Sequence, residues 1–279
     1  MFAETSFRLV GGENPLIIVP ASVNDRGPYE FILDTGAGTS LLSPRVAEAL
    51  GIAATGSREG SGAAGRVTVA LASAESLAIG GARRAPMPLA ITAEVDRIGT
   101  AIGHPIDGDI GYDFLKAFRV TIDYQKRLVR LVQGAYESAG RGHLLRAEVA
   151  FRLAGPAKPL VLVPAFVNGR GPHTFVVDTG ASATVLSPAL AHSLSIRSAA
   201  PGTMIGAGGT LQASVGRATS LAVGGASLDD LTVVVADFLD GLGKVVGATL
   251  DGIVGYNFLR HFRVTLDYPN RVLWLVKAT

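Results

Sequence analysis

The sequence predicts an all-β protein made of two similar lobes, and three observations lead there. Short apolar runs rich in β-branched residues recur along the chain and stop at turn residues. Glycine and proline are abundant, 35 and 14 of 279 residues, as a fold with many turns requires. A whole series of residues also recurs at one constant offset of 144, which marks a duplicated chain without net insertion between its copies.

In the first half, residues 7–10 and 16–23 read as strands, followed by a turn at Gly27-Pro28 and a strand over 31–33. That last strand runs straight into Asp34-Thr35-Gly36-Ala37. Ser43-Pro44 then supplies an N-cap and a proline at the first helical position, with Val46, Ala47 and Leu50 as the apolar face. Gly60-Ser61-Gly62-Ala63-Ala64-Gly65, before the alternating Val67-Thr68-Val69, reads as a β-hairpin with a glycine-rich end. Asp109-Ile110-Gly111 precedes a short helix around 114–118. A closing hairpin turns at Asp123-Tyr124-Gln125-Lys126.

The second half repeats the list. Phe151-Arg152-Leu153 answers Phe7-Arg8-Leu9, and Phe175-Val176-Val177 leads into Asp178-Thr179-Gly180-Ala181. Ser187-Pro188 starts a helix with Leu190, Ala191 and Leu194 behind it. Gly206-Ala207-Gly208-Gly209 before Leu211 is the second hairpin tip, and residues 231–235 form a strand. Ile253-Val254-Gly255, a helix around 258–262 and a turn at Asp267-Tyr268-Pro269-Asn270 complete the copy. The halves are expected at 1–134 and 147–279, joined by a polar, glycine-rich linker over 135–146.

Composition narrows the function classes. A net charge of +2 argues against a protein held to nucleic acid by phosphate contacts. Cysteine is absent, so disulfides and thiolate chemistry are excluded. No apolar run approaches the ~18 residues of a membrane span. Met1-Phe2-Ala3-Glu4 lacks the charged-then-apolar pattern of a leader. The expectation is a cytoplasmic chain, or a periplasmic or secreted one if a leader was removed before this start.

Asp34 and Asp178 are the candidate chemical groups. A lone carboxylate at the inner end of a buried strand is costly, and two in matching contexts suggest one shared site. Carboxyls a few ångströms apart share a proton, because both do not ionise readily. Such a pair can hold a water, one member taking its proton while the other polarises a carbonyl. Thr35 and Thr179 could lock the two loops, and Gly36 and Gly180 admit close backbone approach. The paired hairpins could close over an extended substrate.

On these residues the chain resembles the retropepsin-like aspartic proteases, in particular the bacterial type with two copies in one chain. Asp34-Thr35-Gly36-Ala37 and Asp178-Thr179-Gly180-Ala181 match the family's active-site motif. Ile110-Gly111 and Val254-Gly255, each before a short helix, look like the second signature, which braces the active-site loop. The tips containing Gly62, Ala63, Ala64, Gly65 and Gly206, Ala207, Gly208, Gly209 fall where the family has its flaps.

The resemblance implies two β-barrel lobes related by a pseudo-twofold axis, each with one or two short helices. It implies an aspartic endopeptidase acting on an extended peptide or protein substrate, with no cofactor and no metal, and a monomer whose lobes form an internal pseudo-dimer. Asp109 departs from the pattern, standing where an apolar residue is expected, and neither flap tip carries an aromatic side chain.

Two rivals stay open at this level. One is an inactive peptide-binding protein that keeps the fold, and the other pairs each half with a half from another chain. Blander readings cover other residues. Asp107, Asp251, Asp123 and Asp267 suit turns. Arg119 and Arg263 suit internal ion pairs. His104, His143, His173, His192 and His261 lack metal-ligand spacing. The literal G-x-G-x-x-G at 60–65 precedes a strand pattern rather than the helix a dinucleotide site needs.

Overall fold

The computed structural model describes residues 1–134, 146–155, 158–197 and 200–277. The first half begins with β1 (Phe2–Ser6), β2 (Arg8–Val10), β3 (Leu16–Val23), β4 (Arg26–Leu33), β5 (Leu41–Leu42) and α1 (Pro44–Leu50). It continues through β6 (Gly56–Gly62), β7 (Gly65–Ala74), β8 (Leu77–Ile79), β9 (Ala82–Arg84), β10 (Met87–Ile91) and α2 (Glu94–Ala101). β11 (Gly108–Ile110), α3 (Tyr112–Leu115), β12 (Arg119–Asp123) and β13 (Leu128–Val132) close it.

The second half opens with β14 (Arg146–Ala150), β15 (Arg152–Leu153), β16 (Val161–Val167), β17 (Arg170–Val177), β18 (Val185–Leu186) and α4 (Pro188–Ser193). Then come β19 (Ala200–Gly206), β20 (Gly209–Val223), β21 (Ala226–Ala236) and α5 (Leu239–Val246). β22 (Gly252–Val254), α6 (Tyr256–Leu259), β23 (Phe262–Asp267) and β24 (Val272–Lys277) complete the described elements.

Each half curls its own sheet. In the second, the order is β15-β16-β17-β22-β18-β21-β20-β19, and a further β16–β20 pairing bends the sheet back on itself into a barrel-like lobe. In the first, β6-β7-β10-β5-β11-β4-β3-β8-β9 follows the same plan. The inner strands form because their residues are apolar on both faces: Leu16 to Val19 and Val161 to Val163 are all buried. β11 lies between β4 and β5, parallel to the strand that ends at Asp34, and β22 does the same beside β17.

A third sheet of six strands joins the lobes in the order β1-β13-β12-β23-β24-β14, three strands from each half. At its centre Thr121 faces Thr265, its counterpart in the repeat, with hydroxyls 3.0 Å apart. The pseudo-twofold axis therefore passes between them. Beside this pair, Arg119 Nε donates to Asp267 Oδ2 at 2.8 Å across the lobe boundary. Edge-on rings also cross it: Tyr112 with Tyr268 at 5.8 Å and Tyr124 with Tyr256 at 5.7 Å between centroids. One buried apolar cluster, including Val120, Ile122, Val264 and Leu266, runs through both halves.

Several expectations shift. The turn after β3 lies at Asn24 and Asp25, both with positive φ, and Gly27 and Pro28 belong to the exposed start of β4 beside a bulge, where proline is tolerated. The short helices after the bracing strands start at Tyr112 and Tyr256, directly after Gly111 and Gly255, rather than around 114–118 and 258–262. Each half has three helices among the described residues, one more than the largest expected number. The unforeseen ones are α2 and α5, which start without a side-chain cap and carry Gly99 or Gly241 and Gly243 inside, so the usual start signals are missing.

The Ser43 and Ser187 caps are as read, each hydroxyl accepting the N–H of Val46 or Leu190. β1 was not legible because only Ala3 in it is buried, and pairing with β13 holds it. Of the expected linker, residues 135–145, with His143, lie outside the described residues, and Arg146 already opens β14. Among the described residues, no helix is long and apolar enough to cross a membrane.

Candidate active site

Asp34 and Asp178 directly follow β4 and β17, and the fold brings them together across the pseudo-twofold axis. Below them, the Thr35 N–H donates to Thr179 Oγ1 at 3.0 Å, and the Thr179 N–H returns the bond to Thr35 Oγ1 at 3.0 Å. The Thr35 hydroxyl donates on to the Val177 carbonyl at 2.9 Å, and the Thr179 hydroxyl to the Leu33 carbonyl at 2.7 Å. Both threonines are buried. This reciprocal set ties the ends of the two aspartate-bearing strands to each other.

Each aspartate then lies over the other lobe's glycine. A Cβ on Gly180 would fall 2.5 Å from Asp34 Cγ, and one on Gly36 would fall 2.5 Å from Asp178 Cγ. Only a residue without a side chain allows that approach. Asp34 Oδ1 accepts the N–H groups of Gly36 at 2.6 Å and Ala37 at 3.1 Å. Among the described residues, Asp178 Oδ1 accepts one backbone N–H, that of Gly180, at 2.8 Å. Burial, the charge of Asp34 and a hydrogen bond to Asp34 push the Asp178 carboxyl well above its ordinary 3.8, while the Gly180 N–H and Lys158 pull it down.

The bracing residues act through backbone. The Asp34 N–H donates to the Ile110 carbonyl and the Asp178 N–H to the Val254 carbonyl, both at 3.1 Å. The N–H groups of Tyr112 and Tyr256 donate to the carbonyls of Ala37 and Ala181, both at 2.8 Å. Gly111 N–H bonds Ser40 Oγ at 3.0 Å, and Gly255 N–H bonds Thr184 Oγ1 at 3.4 Å. The first-half brace is thus intact despite Asp109.

The two glycine-rich hairpins meet tip to tip. Ala64 N–H donates to the Ala207 carbonyl at 2.9 Å, and Gly62, Gly206 and Gly208 approach the opposite tip too closely for a Cβ, with Gly65 in ordinary contact with Gly208. Ala63 touches Gly206, and Gly209 pairs with Gly206 in its own hairpin. A cavity of about 390 Å³ lies under the first tip, lined by Gly38, Thr39, Arg58, Gly60, Lys158 and Val245 among others. Asp34 and Asp178 are not among its lining residues.

A family model described as aspartyl protease matches residues 19–114 and again 163–258. The chain belongs to the aspartyl protease family. Each match runs from within β3 or β16, one strand ahead of the strand that leads into Asp-Thr-Gly, to the helix after the bracing glycine, so this family's sequence pattern occurs twice in tandem. No curated protein matches the chain.

Several residues of this aspartyl protease site were not read from sequence. Glu94 Oε2 accepts the Gly208 N–H at 2.8 Å, and Arg97 donates to the Gly206 carbonyl at 3.1 Å while pairing with Glu94. Lys158 Nζ donates to the Ser61 carbonyl at 3.1 Å, and Arg58 to Thr39 Oγ1 at 2.7 Å. Ser40 and Thr184 hold Asp113 and Asn257, and the repeat offset alone would have flagged these pairs. Asp107 and Asp251 do more than form turns: each accepts a strand N–H, from Glu30 and Thr174, at 2.8 Å. Asp123 and Asp267 do cap their hairpin turns, at Lys126 and Asn270. The G-x-G-x-x-G segment is the hairpin between β6 and β7.

Proposed function

We propose that this chain is an aspartic endopeptidase in which Asp34 and Asp178 activate a water between them. Membership of the aspartyl protease family already gives a peptidase-type hydrolase. The finer reading rests on one observation above all: each aspartate carboxyl lies against the opposite lobe's Asp-Thr-Gly glycine, so the two acids share one centre.

The unequal surroundings of the acids divide the work. Asp34, with two backbone donors, is suited to hold the negative charge and to take the proton from water. Asp178, raised by burial and by Asp34, is suited to stay protonated and donate to the substrate carbonyl oxygen. Attack of the water then gives a tetrahedral diol, and a proton passed to the amide nitrogen releases the amine. An extended peptide would lie beneath the hairpin tips, pairing its backbone with them. Thr35, Ala37, Thr179 and Ala181 hold the loops, and Ile110, Gly111, Val254 and Gly255 brace them. The lobes are taken as 1–134 and 147–279, and the active unit as one chain.

Cleavage of fluorescein-labelled casein from pH 3 to 8, with Asp34→Asn and Asp178→Asn, tests this reading. Each variant should stay folded and lose at least about 10²-fold in rate. Undiminished cleavage by both variants sinks it. Binding of a statine-type inhibitor without cleavage by the wild type would favour the inactive peptide-binding alternative. Sedimentation of active protein as a single chain would support the one-chain unit.

A further inference from the structure

The two bracing strands differ in polarity at one position. β11 reads Gly108-Asp109-Ile110, and β22 reads Gly252-Ile253-Val254. Ile253 packs in an apolar cluster with Leu160, Leu162 and Val176. The matching place in the first lobe holds a carboxyl that is 5% exposed. Its register partners are Ile32 and Leu41, which belong to or pack on a cluster with Leu16, Ile18 and Ile106. Asp109 Oδ1 is buried and has no hydrogen-bond partner among the described residues. Asp109 pairs in parallel with Ile32, and the Asp34 N–H bonds the very next carbonyl of β11, so side-chain alternation puts the Asp109 carboxyl on the same sheet face as Asp34, one step along.

An ionised carboxylate in these surroundings would be poorly compensated. The charges acting on Asp109 are all carboxylates: Asp34, Asp178 and Asp113. Two touching carboxyls need a proton between them. Asp34 already accepts two backbone N–H groups, so the proton belongs on the acid that has none.

We propose that Asp109 is a positioning residue for the dyad, a neutral acid that donates a hydrogen bond to Asp34 and holds the dyad's negative charge there, leaving the dyad's proton on Asp178. This rests on the endopeptidase reading for its consequence, but not for its geometry. Burial and the charges of Asp34 and Asp178 hold the Asp109 carboxyl well above its ordinary 3.8. The other groups that feel the dyad are Lys158, which favours its charge, and the buried hydroxyls of Tyr124 and Tyr268. None of these is changed by altering Asp109. The second lobe has Ile253 in this role's place, so the device is one-sided and breaks the symmetry of the pseudo-dimer.

The test uses Asp109→Ile, which copies the second lobe, and Asp109→Asn, whose amide still donates. Two readouts are taken from the intact protein: the pH profile of kcat/KM on labelled casein, and carboxyl carbon-13 titrations of labelled aspartates. Asp109→Ile should move the acid limb and the dyad's first ionisation upward by about one pH unit, the size of one charge-assisted hydrogen bond. Asp109→Asn should leave both within about half a unit.

A purely structural Asp109 predicts the contrary: Asp109→Ile melts higher, and neither the limb nor the titration moves. That outcome overturns the proposal. So does a wild-type Asp109 that titrates at the ordinary value, whatever the variants do. If no protein cleaves casein yet the dyad titration still shifts in Asp109→Ile, the endopeptidase reading fails and the Asp109 inference stands.

Discussion

Thr35 and Thr179 exchange hydrogen bonds across the lobe boundary, each N–H reaching the other's hydroxyl at 3.0 Å. Each hydroxyl donates onward to a carbonyl of the opposite strand. Replacing Thr35 by valine keeps the shape but strands a buried N–H and a buried carbonyl. Thr35→Val and Thr179→Val should each cost about 2–3 kcal/mol in urea unfolding, and Thr35→Ser should recover most of it.

Gly36→Ala and Gly180→Ala test the packing of carboxyl on glycine. The added Cβ would displace the opposite aspartate, since it would fall 2.5 Å from that carboxyl's Cγ. Cleavage should fall about 10²-fold, as expected of a reacting group shifted by roughly an ångström. Far-UV circular dichroism should stay that of the parent.

The pH dependence of stability follows from Asp178 and Asp109, whose carboxyls are raised above 3.8. A folded state with raised carboxyls binds protons more tightly than the unfolded chain. Their contribution is fully present below the unfolded value and is lost as pH rises through the raised values. Removing one of them should flatten that decline. Asp178→Asn should therefore melt above the wild type near pH 7, with the gap closing as pH falls toward 4, read by calorimetry across that range.

The hairpin tips should loosen when their latch is cut. Glu94 accepts the Gly208 N–H, and Arg97 donates to the Gly206 carbonyl. Glu94→Ala should speed amide exchange at Gly208 by about tenfold, the loss of roughly one hydrogen bond. Exchange in β22 should be unaffected.

The lobe junction carries a buried charge. Asp267 has a side chain only 2% exposed and is paired with Arg119 from the other half. Arg119→Ala should destabilise by about 3 kcal/mol or more, because it removes a cation from a buried carboxylate. Because one core runs through both halves, unfolding should remain a single transition by fluorescence of Trp274 and by circular dichroism.

Much of this was legible because the signals are local. Apolar runs ending in Asp-Thr-Gly, Ser-Pro helix starts and turn residues each express a preference of a few adjacent residues, and the offset of 144 then named their counterparts. The helices α2 and α5 escaped because their starts lack caps and their interiors hold glycine. β1 escaped because its order comes from pairing with β13, from Phe2 with Val132 to Ser6 with Leu128, more than a hundred positions away. Asp109 was visible as a departure, but not what it touches.

By itself, the sequence determined that there are two equivalent halves, which residues correspond, and which acid ends which strand. Only the tertiary structure decided that equivalents face one another, as Thr35 does Thr179 and Thr121 does Thr265, and that Asp109 is buried in register with Ile32. The physical reason is range. Local propensity acts over a few residues, whereas a contact between positions more than a hundred apart exists only once the lobes have packed about a shared axis and excluded water between them.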